Sequence, residues 1–400
     1  MVNSSLLTYC LNVHPSETLP EVLFALDQWA GPIRKQLAVP GPFPLGLRLG
    51  DQAVSELMGS PSAQAALREA LSDHHLSVLT LNAFPMRAFH GEEVKTLVYE
   101  PNWCSEERIR YTLDCAHILV RLPRAHNDVL TMSTLPLGFD LGHAERLDLQ
   151  LAARNLLRVV DALYQLQEET GVRVLLCLEP EPLCVLSETK DLHAFYRNVL
   201  LPMARDRGKR GGYDGEARCL MHLGACFDIC HAAVLFEQVE DSIHLLRSED
   251  IPIGKVQVSS ALSATDLIPC DPRYGALRPF AEPRYLHQTV ALCPDGNRQT
   301  YLDLTEFLQE MDERPRPIRE VRSHFHVPID ACQMGALGTT QNCILKAIEA
   351  LPPGSLVPLE IETYTRSVIP GNAGDEDLVP GILRELRWAQ SHLLSRPKGP

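Results

Sequence analysis

The stretch Val172–Pro182, VRVLLCLEPEP, decides the fold. From Val172 to Leu178 it is apolar almost without a break, the composition of a strand buried on both faces, as parallel strands are. Pro180 and Pro182 have no N–H to give to a ladder, so the strand stops at Glu179. A carboxylate is thereby left at the C-terminal end of a buried strand. Glu181, two positions on, projects to the same side.

Seven more such runs recur along the chain: Thr8–Val13, Leu45–Gly50, Ser77–Ala83, Thr131–Leu137, Leu223–Asp228, Lys255–Ser259 and Val357–Glu362. Between them lie stretches with apolar residues at helical spacing: Ala53–Leu71, Ser105–Val120, Ala144–Thr170, Leu192–Arg205, Ala232–Arg247 and Thr340–Leu351. Ile382–Leu394 follows the last strand. This alternation builds parallel βαβ units. Eight of them favour an α/β chain closed as a (β/α)8 TIM barrel over an open doubly wound sheet. One domain over residues 1–400 is expected, because barrels with enlarged loops exceed the usual domain length.

Two segments interrupt the repeat. Asp206–Ala217, DRGKRGGYDGEA, is glycine-rich and charged and reads as a mobile loop. Residues 263–328 are too long for a βα loop. They carry strand-like runs at Arg284–Leu292 and Val321–Val327 around the turn signal Pro294-Asp295-Gly296-Asn297. We read them as an enlarged insertion after the seventh strand. Leaving from a strand's C-terminal end, the insertion is expected to fold over the barrel mouth, where active sites of this fold lie.

The chain has 51 acidic and 37 basic side chains, a formal charge of −14. That balance repels nucleic-acid backbones and anionic membrane surfaces, so neither is an expected partner. No run of roughly 18 apolar residues occurs, and the opening MVNSSLLTYC lacks the basic and apolar regions of an export signal. A cytoplasmic protein without membrane insertion is expected. The twelve cysteines are scattered singly, several in apolar runs, and read as reduced, buried thiols.

Acids and imidazoles gather at the strand ends. Asp228 closes the sixth run in Cys226-Phe227-Asp228-Ile229-Cys230-His231, and His231 begins the next helix on the same side. Asp228 suits a plain helix N-cap; together the two suit a divalent cation. Gln257 in the seventh run offers only an amide oxygen, a weak ligand, so a stronger one is sought elsewhere. In the insertion, Ser323-His324-Phe325-His326 alternates and brings both imidazoles to one face. His326 is a candidate ligand, and His324 and His287 are candidate substrate contacts. Glu360 and Glu362 share a face of the last run, and two inward carboxylates repel unless a cation or proton neutralises one. Asn12 and His14 after the first strand, and Asn82 and Phe84 after the third, suit a polyhydroxylated ligand whose hydroxyls need partners and whose C–H face needs an apolar wall. Lys255 and Arg366 are candidates to hold an anionic group, although no glycine-rich phosphate loop is present.

With Glu179, Asp228, His231 and Glu362 in place, the pattern resembles the xylose-isomerase-like TIM-barrel superfamily of sugar isomerases, ketose epimerases, inosose dehydratases and endonuclease IV-type enzymes. More closely, YCLNVHPSET, LNAFPMRAFHG, LEPEPLCVLSE, CFDICHAAV, EPRYLHQTV, HFHVPID and LEIETYT are similar to the EboE family of metabolite traffic proteins, over Tyr9 to Thr365. The superfamily resemblance implies a divalent metal (Mn, Zn, Mg or Co) held by Glu179, Asp228 and Glu362. It further implies proton exchange by Glu179 and Glu362 and a substrate-side role for His231. The seventh-strand histidine of that pattern has no counterpart, since Gln257 stands there. The endonuclease-type histidines are replaced by Asn82 and the Ser133/Thr134 region. The EboE resemblance implies a bacterial gene cluster that moves a secondary-metabolite precursor toward the envelope. Its other proteins, including a UbiA-type prenyltransferase, are the implied partners, and a small polar metabolite is the implied ligand. The expectation is a metal-dependent sugar or cyclitol isomerase or epimerase-type barrel, with a non-catalytic carrier or scaffold and a metal-dependent phosphoesterase as alternatives.

Overall fold

The computed structural model describes residues 6–91, 94–124, 129–140, 147–371 and 378–394. Seven parallel strands come first: β1 (Leu7–Tyr9), β2 (Phe43–Arg48), β3 (Leu76–Asn82), β4 (Val129–Thr134), β5 (Arg173–Leu178), β6 (Leu223–Asp228) and β7 (Ile253–Val258). Six antiparallel strands follow: β8 (Ala261–Leu267), β9 (Thr289–Leu292), β10 (Arg298–Tyr301), β11 (Ile318–His326), β12 (Gln333–Met334) and β13 (Leu337–Thr339). The last strand, β14 (Leu359–Ile361), then completes a parallel sheet of order β1-β14-β7-β6-β5-β4-β3-β2. The sheet closes into the expected barrel by a bridge between Cys10 and Gly46 and by the Thr8 hydroxyl, which donates to the Pro44 carbonyl at 2.8 Å.

The two-residue period of each strand sorts its side chains between the helical layer and the barrel interior. In β5, Val174, Leu176 and Leu178 join the main core shared with the helices, whereas Leu175 and Cys177 meet Cys226 in a separate cluster. Continued one residue past β5, that inward row reaches Glu179. By the same alternation β6 delivers Asp228, β7 delivers Lys255 and Gln257, and β14 delivers Glu360 and Glu362. A side chain on Gly46 would come within 1.4 Å of Glu360 Oε1, so the carboxylate lies where only glycine leaves room.

The antiparallel strands form a second sheet, ordered β10-β9-β11-β8-β13-β12, that runs from Ala261 to Thr339. Phe280, Phe307 and Phe325 lie in its own apolar core together with Leu262 and Leu337.

Several local expectations are corrected. Asp206–Ala217 is not a loop but the junction of two helices, Leu201–Gly211 and Gly215–His222, turned at left-handed Gly212 and capped by Asp214, which accepts from the Ala217 N–H at 3.0 Å. The other glycines that suggested a loop serve close packing: a Cβ at Gly215 would stand 1.9 Å from the Ala204 carbonyl oxygen. Gly215→Ala is therefore expected to destabilise the fold by about 1–3 kcal/mol, the usual cost of overpacking, read as a lower urea midpoint. The Ala53–Leu71 stretch breaks at Ser60 before Pro61, and Ala232–Arg247 falls into two helices, Ile229–Val234 and Val239–Ser248. The helix expected from Ala144 begins at Leu149, and residues 144–146 lie outside the described residues. All twelve cysteines are free, but Cys270 and Cys332 are exposed rather than buried. Among the described residues no helix is long and apolar enough to cross a membrane.

Candidate metal centre at the barrel mouth

Glu179, Asp228 and Glu362 converge: each offers an oxygen, and the three lie within 4.8 Å of one another. All three residues are buried. Their surroundings hold them in place while leaving lone pairs unused. Asp228 Oδ1 accepts from the His231 N–H and the Ser259 hydroxyl, each at 2.8 Å, so the aspartate does cap the following helix. Its Oδ2, however, has no hydrogen-bond partner among the described residues, and neither has Glu179 Oε2. Glu362 Oε1 accepts from Asn12 Nδ2 at 2.6 Å and Asn82 Nδ2 at 3.0 Å. Gln257 stands in register with both Asp228 and Glu360, and its two amide atoms likewise have no partner among the described residues. Buried anionic oxygens without donors are costly unless a cation meets them. This donor set suits a hard or borderline divalent ion.

Three histidines face the same space. His231 Nδ1 donates to the Pro180 carbonyl at 2.9 Å, His324 Nδ1 to Gln288 Oε1 at 2.7 Å, and His326 Nδ1 to the Glu362 carbonyl at 2.8 Å. With Nδ1 so engaged, the Nε2 of each neutral ring carries a lone pair. His231 Nε2 and His326 Nε2 each stand 3.1 Å from His324 Nε2. Lone pairs at that spacing call for a proton or a cation between them. Asp228, His231 and His326 form one potential ligand group, and Glu181, His231 and His324 another. The alternation in β11 thus delivers both imidazoles to one side, although the pairing of β11 with β8 shifts register between Ser323 and His326. Phe325 turns to Phe280 on the other side.

The electrostatics match this crowding of acids. Burial pushes Glu179 up to about 7, with Asp228 adding to the effect and His231 opposing it. Burial, then Glu179 and Asp228, hold Glu362 well above the usual carboxylate range. Burial also lowers His326 to about 4 and His324 well below its ordinary value. For His231, burial works against the charged form, but Asp228, Glu181 and Glu179 raise it overall. A carboxyl whose folded value is raised contributes stability that is present below its unfolded value of 4.5 and is lost as pH rises through about 7. His324 and His326, held low, act with the opposite sign, gaining stability as pH rises through the ordinary imidazole value of 6.5, so the carboxyl is read by difference. Between pH 5 and pH 8 metal-free native protein is expected to lose melting temperature relative to Glu179→Gln in calorimetric scans.

The remaining candidates divide. Asn12, Asn82, Phe84, Glu181 and His324 line a cavity of about 500 Å³, counting its open mouth, together with Glu179, His231 and Glu362. Glu181 is already occupied, accepting from the Tyr99 hydroxyl at 2.6 Å and Gln288 Nε2 at 3.1 Å. Three other expectations fail on geometry. His14 stacks on Trp29, with ring centroids 4.3 Å apart, and is packed outside the cavity lining. His287 is bound to Glu282 Oε1 at 2.9 Å and to the His324 carbonyl at 2.9 Å, bracing β11 from behind. Glu360 is neutralised by Lys255, whose Nζ lies 2.6 Å away, so the cation it needs is a side chain. Lys255 is thereby removed as an anion holder, and Arg366 is likewise paired with buried Glu385. Nothing in the local pattern of Gln288 and Tyr99 marks them in the sequence, because their role arises from segments far apart in the chain, the helical turn Lys95–Tyr99 and the residue before β9.

Comparison with known proteins agrees on fold. No family model matches the chain, and no curated protein does. Among solved structures, a xylose isomerase-like TIM barrel protein from Mycobacterium smegmatis in complex with magnesium matches at TM-score 0.51 and 12% identity, covering 99% of each chain. The IOLI protein with a bound zinc atom matches at 0.48 and 13%, covering 98% of this chain and 99% of that one. D-psicose 3-epimerase with D-tagatose, from Clostridium cellulolyticum H10, matches at 0.46 and 12%, covering 97% and 99%. In fold the chain is a xylose-isomerase-like TIM barrel.

Proposed function

We propose that this chain is a divalent-metal-dependent enzyme of the isomerase or epimerase type, EboE-like, acting on an oxygen-rich precursor of a secondary metabolite such as a sugar or cyclitol. The observation that carries the reading is the convergence of three buried carboxylates, two of which, Glu179 and Asp228, keep an oxygen with no donor among the described residues. Glu179, Asp228 and Glu362 would hold the ion, with the Gln257 amide oxygen or His326 completing the set. Bound there, it supplies Lewis-acid polarisation of a carbonyl or hydroxyl oxygen. Glu179, poised near neutrality, has the property required of a group that gives and takes a proton at the adjacent carbon. Glu362 is the second such group, oriented by Asn12 and Asn82. His231, its Nδ1 fixed to Pro180, turns Nε2 toward a substrate oxygen. A fold neighbour in complex with magnesium supports the reading. In the same reading one barrel domain of residues 1–400 works in the cytoplasm beside the proteins of its gene cluster, with residues 263–328 covering the mouth.

The three facing Nε2 atoms favour one second reading, a two-cation phosphoesterase-type hydrolase in which His231, His324 and His326 hold a further ion. Elemental analysis separates the two. Native protein is expected to carry one divalent ion per chain, and Glu179→Ala with Asp228→Ala none. Equal, negligible metal in both would overturn the proposal. Two ions per chain together with cleavage of an abasic-site duplex would establish the second reading.

A further inference from the structure

The cavity has two chemically distinct halves. Its floor is the set of strand-end acids, imidazoles and amides described above. Its wall is apolar, built from Phe84, Phe89, Val94 and Val98 of the segment after β3, with Tyr285 and Leu286 of the segment before β9. Phe89, Tyr285 and Tyr364 pack as a rigid aromatic corner, with ring centroids 4.9 to 5.2 Å apart. An unsubstituted polyol carries a hydroxyl on every carbon, and any hydroxyl it turned to such a wall would lose its hydrogen bonds to water without replacement. An anionic tail fits no better. Lys95 is the one lysine or arginine among the described lining residues, and Asp303 holds it at 2.7 Å.

We propose that the ligand is a two-part molecule: an oxygen-bearing head that meets the floor, and an uncharged, ring-sized apolar body that packs against Phe84, Phe89, Tyr285 and Tyr364. The head rests on the metal reading above, whereas the body rests on the wall alone. A sugar or cyclitol head carrying an aryl or cyclic hydrocarbon group has this chemistry, and an unsubstituted polyol or a sugar phosphate does not.

Acetohydroxamate and benzohydroxamate share one bidentate, metal-binding head and differ only in the body. Titration calorimetry on the Mn²⁺-loaded protein is expected to show benzohydroxamate binding at least ~10-fold more tightly, the order of gain from burying a phenyl ring. Phe89→Ala is expected to erase most of that ratio while acetohydroxamate binds as before, which also shows that the variant is folded. Should Phe89→Ala lose both ligands, Leu286→Ala repeats the measurement from the other segment of the wall, with the same expected collapse of the ratio. Equal affinities for the two hydroxamates in the native protein, or displacement of benzohydroxamate by an equal concentration of myo-inositol, would overturn the body assignment and leave the metal reading standing. Binding of neither hydroxamate would overturn both.

Discussion

Glu362→Gln is expected to weaken Mn²⁺ or Zn²⁺ binding by more than ~100-fold, with the backbone fold intact by circular dichroism. The substitution keeps the shape and removes one of three negative charges that meet at the mouth. A glutamine there also brings an NH₂ group into a space where Asn12 and Asn82 already point donors at the same atom. Asn82→Ala removes one orienting hydrogen bond and leaves the charge, so its cost is expected to be smaller, about 10- to 100-fold, as for other partners that orient a ligand. Competition with a chelating indicator measures both. Equal affinity in native protein and Glu362→Gln would remove this carboxylate from the ion's surroundings.

The largest effect on stability is expected at Lys255. Its ammonium is fully buried, 2.6 Å from Glu360 and 3.2 Å from the Ser133 hydroxyl. Lys255→Met would strand a carboxylate in the barrel interior, and breaking one partner of a buried pair costs about 3–5 kcal/mol. Replacing both partners, Lys255→Met with Glu360→Leu, removes the stranded charge and is expected to recover most of that loss. Chemical denaturation of the two variants checks this. A single variant as stable as the native protein would show that Glu360 can be neutralised by a proton at little cost.

The same residues show what the sequence could and could not disclose. The barrel was legible because largely apolar strand-like runs alternate with stretches of helical spacing, signals that are local. Glu179, Asp228 and Glu362 could be picked out for the same reason: each is the next inward position after an apolar strand. Glu360 was equally inward, but its partner Lys255 sits on a neighbouring strand about a hundred positions earlier, and local alternation carries no record of which strands adjoin. His14 and His287 failed similarly, since Trp29 and Glu282 claim them through packing. The helix pair around Gly208 and Gly215 was misread because a glycine that permits a turn and one that permits close contact look alike in a sequence.

Glu362 holds a place in the architecture as well as in the chemistry. The joint between β1 and β2 is the most thinly bonded part of the barrel wall, a bridge at Cys10–Gly46 and one side-chain hydrogen bond. Asn12, just beyond β1, and Asn82, at the end of β3, both reach the same Glu362 oxygen, so that carboxylate acts as a rivet spanning the seam from above. Occupancy of the mouth and integrity of the wall therefore draw on the same two hydrogen bonds. A change that swings Glu362 away unfastens the cylinder where it has least else to hold it shut.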